Sequence, residues 1–184
     1  MNQGGEPDPA SGDLAARVAL LVQDVEDFPE PGVRFRDVLP VLADPSTFRA
    51  VVDHVAGRRA QWGFDIVVGV DARGFLLAGA IAYAAGCPLV VIRKAGKLPG
   101  PIQSAPYALE YGTGTLQIQR GALPPGARVL LVDDVLATGG TLAAAAGLLA
   151  TAGAGSCRCW VLVELVELAG RRRIPDVLDA LLIL

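Results

Sequence analysis

The sequence predicts an α/β fold in which a mostly parallel central sheet is flanked by helices. Three observations carry that prediction. Ile66-Val-Val-Gly-Val70 and Val129-Leu-Leu-Val132 carry no polar side chain, as central parallel strands covered on both faces require. Each is followed by a stretch of helical length rich in alanine and leucine, residues 74–85 and 140–152. A polar turn stands between strand and helix in both cases: Asp71-Ala-Arg-Gly74, and a longer one from Asp133 to Gly140. Open α/β sheets bind ligands at such turns, outside the carboxyl ends of their strands.

Residues 1–12 read as a loose tail and residues 13–184 as one domain, with no internal repeat or linker. Residues 14–25 have helical spacing and stop before Phe28-Pro29-Glu30-Pro31-Gly32, where two prolines and a glycine forbid continuation. A second helix is expected from Asp44, a suitable cap, through Pro45 to about residue 61. Then come a strand at 65–70, a helix at 74–85 and a strand at 88–93. A long loop at 93–111 follows, with strand structure around 111–120. A strand at 127–132, a helix at 140–152 and a strand at 158–164 complete the alternation. Within it, Thr113-Gly-Thr-Leu-Gln-Ile-Gln-Arg120 alternates polar and apolar residues, which suits a hairpin strand with one wet face. Arg171-Arg-Arg173, ahead of Ile174-Pro175, reads only as a solvated basic turn.

Composition narrows the function. A chain of 184 residues with 52% hydrophobic residues has enough apolar material for a sizeable core, and its net charge of −3 argues against nucleic acid as a partner. The first ten residues have neither the basic start nor the apolar segment of a secretory signal, and the apolar runs are too short to span a bilayer. A cytoplasmic protein that engages no membrane is expected. Cys87, Cys157 and Cys159 then read as reduced core thiols, since one Cys-x-Cys and a distant His54 are too few ligands for zinc. His54 stands apart from any serine motif, which disfavours a Ser-His-Asp hydrolase. Neither Gly-x-x-x-x-Gly-Lys-Ser/Thr nor a Gly-x-Gly-x-x-Gly after a strand occurs.

The richest stretch is Val129-Leu-Leu-Val-Asp-Asp-Val-Leu-Ala-Thr-Gly-Gly-Thr141. Asp133 and Asp134 are acceptor-only groups suited to sugar hydroxyls or a cation. Ala137, Thr138, Gly139, Gly140 and Thr141 lead into a helix, whose unpaired N–H groups and dipole attract a phosphate. Either half alone also fits a solvated turn or an ordinary helix cap. As one unit the run resembles the phosphoribosyl pyrophosphate (PRPP) motif of the type I phosphoribosyltransferases. The resemblance implies that family's fold, with a small N-terminal hood and a flexible catalytic loop. It also implies that the paired acids hold the ribose hydroxyls and the following loop wraps the 5′-phosphate.

Four further segments resemble the adenine phosphoribosyltransferase branch, in order along the chain. They are Asp27-Phe-Pro-Glu-Pro-Gly-Val-Arg-Phe-Arg-Asp37, Gly69-Val-Asp-Ala-Arg-Gly-Phe75, Ile92-Arg-Lys-Ala-Gly-Lys-Leu-Pro-Gly100 and Leu109-Glu-Tyr-Gly112. By that resemblance the turn of Asp71, Ala72 and Arg73 binds pyrophosphate, often through a non-proline cis peptide that would here join Asp71 to Ala72. Residues 93–111 become the catalytic loop, with Lys94 and Lys97 near the departing pyrophosphate and Arg93 reaching a neighbouring subunit's ligand. Glu110, followed by Tyr111, matches the acid/base carboxylate. Arg34, Phe35 and Arg36 fall in the hood, where main-chain groups read the adenine edge and Phe35 stacks on the ring. Two positions depart from the family pattern: Arg34 replaces a common apolar residue, and Ala72 lacks a hydroxyl.

The implied reaction makes AMP and pyrophosphate from adenine and PRPP, a purine salvage step. Magnesium would bridge the pyrophosphate and ribose hydroxyls without dedicated protein ligands, and the enzyme would be a homodimer. Arg73 and Lys97 would act with Glu110 in catalysis. Two alternatives stand beside it: a phosphoribosyltransferase for another purine base, and a PRPP-binding regulator without turnover.

Overall fold

The computed structural model describes residues 9–108 and 113–184. Its centre is a seven-stranded sheet of β3 (Ile66–Val70), β4 (Leu89–Lys94), β5 (Ile102–Ala108), β6 (Thr113–Gln119), β7 (Arg128–Leu136), β8 (Ser156–Glu164) and β9 (Val177–Ile183). The spatial order is β5-β6-β4-β3-β7-β8-β9. The run from β4 to β9 pairs in parallel, while β6 pairs antiparallel with both β4 and β5. All five residues of β3 are buried, and β7 is buried along nearly its whole length, as the apolar runs require.

Helices cover both faces. On one lie α1 (Pro9–Leu21), α2 (Leu39–Ala43), α3 (Pro45–Ala56), the short α4 (Arg59–Trp62) and α5 (Gly74–Ala85). Val18, Val51, Val55, Leu77 and Ile81 from these helices pack with Val67, Leu130, Trp160 and Leu162 of the sheet. On the other face α6 (Gly140–Thr151) sets Leu142, Ala145, Leu148 and Leu149 against Val68, Leu131, Val161 and Leu116. No helix among the described residues is long and apolar enough to cross a membrane.

Several expectations are corrected. The first helix begins at Pro9, inside the stretch read as tail, and ends at Leu21. Gln23–Val25 instead forms β1, paired antiparallel with β2 (Phe35–Asp37) in a small separate hairpin. The second helix, expected over 44–61, is two pieces, α3 and α4, with the unforeseen α2 just ahead of it. Asp44 ends α2 and caps α3, its carboxylate accepting the Thr47 N–H at 2.7 Å, and Gly57 breaks the chain before α4. Part of the loop expected at 93–111 is strand: residues 102–108 form β5, which runs the length of β6, with Pro106 tolerated because β5 is the sheet edge. β7 extends to Leu136, so Asp133 and Asp134 lie within a strand that still pairs with β8. β9 was not foreseen.

Candidate active site

The chain turns to α5 and β4 on one side of β3, and β7 lies on the other, so the crevice between the carboxyl ends of β3 and β7 is a switch point in strand order. A cleft of about 380 Å³ opens there. Asp71, Ala72 and Arg73 line it from the β3 turn, Asp133 and Asp134 from β7, and Ala137, Thr138, Gly139, Gly140 and Thr141 from the start of α6. Lys94, at the end of β4, and Tyr107, on β5, complete the polar lining. The sequence motifs from three separate segments thus meet in one place.

The acids are the most constrained groups in the cleft. Asp133 and Asp134 are 8% and 6% exposed. The Asp134 N–H donates to Asp133 Oδ1 at 2.9 Å. Burial first, and then the charge of Asp134, push the Asp133 carboxyl well above the usual carboxylate range, against the pull of the Asp134 N–H and Arg73. Arg73 Nε stands 2.7 Å from Asp134 Oδ2. Its N–H is not aimed at that oxygen, which is left buried and without a hydrogen-bond partner among the described residues. The contact is therefore ionic, without a hydrogen bond to that oxygen. Behind the acids α5 begins at Gly74, where a Cβ would lie 2.8 Å from the Val132 carbonyl oxygen and 2.9 Å from Asp133 Oδ1.

On the anion side, Gly139 takes φ 80° and α6 starts with no side-chain cap among the described residues. Its first-turn N–H groups are thus left for a ligand. The Asp71–Ala72 peptide is cis, as the resemblance implied. Arg93 Nε donates to Asp71 Oδ2 at 3.2 Å, and its guanidinium lies 5.6 Å from the centre of the Phe75 ring. Arg93 therefore braces the β3 turn instead of lining the cleft. Lys97 is also away from the cleft, in an exposed turn where its carbonyl accepts from Arg93 Nη1 at 3.3 Å. Glu110 and Tyr111 lie outside the described residues.

A second cavity, of about 290 Å³, adjoins the first and is mostly apolar. Val25, Phe28, Phe35, Asp37 and Leu39 line it together with Arg73. The β1–β2 hairpin explains which side chains reach it. Strand alternation turns Phe35 one way, edge-on to Phe28 at 5.0 Å, and turns Arg34 and Arg36 the other. Arg34 bonds Glu26 at 2.8 Å, and Arg36 bonds Asp24. Neither arginine side chain lines the pocket, so any contact from these two positions is left to their main chain. The Arg73 guanidinium sits 4.8 Å from the Phe35 ring centre, which joins the two cavities.

Sequence reasoning missed Tyr107. It is 7% exposed, and burial and then the nearby Asp71 charge raise its phenol above the usual value. Its ring lies over Gly114 across the hairpin, where a Cβ would come within 2.6 Å of Cζ. The signal lay in a strand hidden by Pro106. The thiols are elsewhere: Cys157, Cys159 and Asp176 gather at the amino end of β8, one ligand short of a closed zinc site, and all three cysteines are free.

Comparison with known proteins agrees with this geometry. Residues 41–178 match the model of the phosphoribosyl transferase domain. The chain is 52% identical over 170 residues to an adenine phosphoribosyltransferase of Salinispora arenicola, covering 92% of this chain and 90% of that one. A crystal structure of adenine phosphoribosyltransferase from Rhodothermus marinus superposes with a TM-score of 0.88 at 38% identity, covering 94% and 99% of the two chains. The Saccharomyces cerevisiae enzyme, complexed with an imino-altritol bisphosphate and adenine, gives 0.88 at 34% identity, covering 92% and 99%.

Proposed function

Because the chain belongs to the adenine phosphoribosyltransferase family, we propose that its two cavities join adenine to the sugar of PRPP, forming AMP and pyrophosphate for purine salvage. One observation carries the reading. Arg73 lines both the polar cleft and the apolar pocket, so an activated sugar and a flat base would meet beside a single guanidinium. The 5′-phosphate sits at Ala137–Thr141 on the α6 N-terminus, and Asp133 and Asp134 accept from the ribose hydroxyls. The orphaned Asp134 Oδ2 supports that placement, since a ribose hydroxyl supplies the missing donor. Adenine stacks on Phe35, while the main chain of Arg34 and Arg36 reads its edge.

Chemistry begins as the bond from C1′ to the pyrophosphate oxygen loosens and N9 of adenine approaches C1′. Negative charge grows on the leaving pyrophosphate, where Arg73, Lys94 and the N–H groups of the Asp71–Arg73 turn stabilise it. The N9 proton passes to a base, for which the family motif nominates Glu110, with Tyr111 beside it. Lys97 acts from the turn between β4 and β5 and reaches the leaving group only when that turn closes over the cleft. Arg93 holds Asp71 in place.

The donor set fits magnesium. The buried acids, which keep the cleft anionic and hold the ribose hydroxyls, suit a cation that would be carried by PRPP's own oxygens and water without a dedicated protein ligand. When bound, it would neutralise pyrophosphate charge as that group leaves. A homodimer and a cytoplasmic setting belong to the same proposal. The exposed Leu76 and Tyr83, seven residues apart on one side of α5, offer an apolar face for a second copy.

The test is nucleotide formation from PRPP and magnesium with adenine, hypoxanthine, guanine and xanthine in turn. AMP from adenine alone is expected. A nucleotide from another base would overturn the pocket assignment, and PRPP binding without any product would favour the regulator.

A further inference from the structure

Among the described residues no side-chain hydrogen bond fastens the anion loop where it enters α6. Ala137, Thr138 and Gly139 lead into α6 without a side-chain cap among the described residues, and Gly139 adopts a left-handed conformation. Its shape must be imposed from outside.

The outside support is Gly170. A Cβ built there would collide with the Ala137 carbonyl oxygen, and would lie 2.8 Å from the Gly139 nitrogen and 3.0 Å from the Thr138 carbonyl carbon. Reciprocally, a Cβ on Gly139 would lie 3.0 Å from the Gly170 carbonyl carbon and 3.1 Å from its Cα. Two main chains therefore touch through a pair of glycines, an approach that any side chain at either position would prevent.

What holds Gly170 there is the next residue. Arg171 Nε donates to Glu164 Oε1 at 2.9 Å, Nη2 donates to Oε2, and Nη1 donates to the Leu178 carbonyl oxygen at 2.7 Å. Glu164 is 4% exposed, ends β8, and is in register with Leu136, the residue just before the anion loop. Leu165 N–H donates to the Leu136 carbonyl oxygen at 2.9 Å. The exit of β7 into the loop and the exit of β8 into its support are thus fastened side by side. A fork-to-carboxylate pair of this kind fixes direction more than it adds net stability. It also gives Arg171 a role within the basic run, leaving only Arg172 and Arg173 as solvated residues.

We propose that Glu164, Arg171 and Gly170 are positioning residues that hold the main chain of residues 137–139 in the shape that receives the 5′-phosphate. The inference rests on the assignment of that loop to the 5′-phosphate under the proposed function.

The test measures ribose 5-phosphate and magnesium pyrophosphate binding by calorimetry, and KM for PRPP and adenine, in the wild type, Arg171→Ala, Arg171→Lys and Gly170→Ala. Arg171→Ala and Gly170→Ala are expected to weaken ribose 5-phosphate and raise the PRPP KM by about tenfold or more. Pyrophosphate binding and the adenine KM stay within about twofold, because those ligands do not use the loop. Arg171→Lys keeps the charge but not the fork, and falls between. Wild-type protein that fails to bind ribose 5-phosphate would overturn the loop assignment itself. Wild-type binding matched by Arg171→Ala would overturn the positioning role alone. Equal loss of both ligands in the variants would also overturn it, as general damage to the fold.

Discussion

Replacing Arg73 with alanine should destabilise the ligand-free protein through Asp134, and the size of the effect can be worked from the site. The pair is 2.7 Å apart, with the carboxylate 9% exposed and the guanidinium 31% exposed. At that distance and an effective dielectric of about 20, the bare attraction is about 6 kcal/mol. Solvent reaches a third of the guanidinium, and the N–H is not aimed at the oxygen, so less than half of that survives. A loss of about 2–3 kcal/mol is expected, lowering the melting temperature by about 4–12 °C in a chain of this size. The assay is urea unfolding of a double-mutant cycle with Asp134→Asn. Once the buried charge is gone, Arg73→Ala should cost only its stacking on Phe35, about 0.5–1 kcal/mol. If Arg73→Ala costs the same in both backgrounds, Arg73 does not neutralise Asp134, and the account of a charge-balanced cleft fails.

Two further outcomes follow from the same cleft. Burial and the Asp134 charge raise the Asp133 carboxyl in the folded state, so the folded protein binds that proton more tightly than the unfolded chain does. The contribution of Asp133 to stability is therefore greatest below the ordinary carboxylate value of 3.8 and is lost as pH rises through the folded value. Asp133→Asn should remove that loss: denaturant unfolding from pH 4 to pH 8 is expected to show a gain over wild type that grows with pH, alongside impaired turnover. A gain independent of pH would contradict the assignment. Separately, Phe35→Ala should raise the adenine KM by about tenfold or more while leaving the PRPP KM unchanged, since base stacking on an aromatic ring contributes about 1–3 kcal/mol. Steady-state kinetics with each substrate varied would decide it, and a PRPP KM that rose instead would move Phe35 out of the base pocket.

The parts of the site legible in the sequence are those set by local chemistry. An all-apolar run followed by acids and a glycine-threonine turn dictates strand, ligand turn and helix in order, and Asp71, Asp133, Asp134 and residues 137–141 do converge. What escaped was set by partners distant in sequence. β1 and β2 are three residues each and exist only as each other's partner, so no period is long enough to mark them. β5 carries Pro106, a signal against strand that only an edge position overrides, and with it Tyr107 went unseen. Strand alternation in β2 decides that Phe35 and not its flanking arginines faces the pocket, which the residue types alone do not say.

The same division explains why the cleft is built as it is. Its binding groups come from local motifs, but their tolerance for one another comes from long-range packing. Two carboxylates side by side in a buried strand are unfavourable without ligand, and β7 carries them while it remains paired with β8 through Leu136. Arg73 reaches over from the β3 turn to meet the Asp134 charge, and Gly74 lets α5 begin directly against Asp133. The anion loop is shaped by Gly170, thirty-one residues further along the chain than Gly139. Each constraint leaves an unmet need that a sugar phosphate answers: a buried oxygen without a donor, a free helix terminus, and a guanidinium shared by two cavities. Ligand binding should therefore stabilise the fold as well as fill the site, and AMP should raise the melting temperature more than adenine at the same concentration, because only AMP meets all three needs and so binds more tightly.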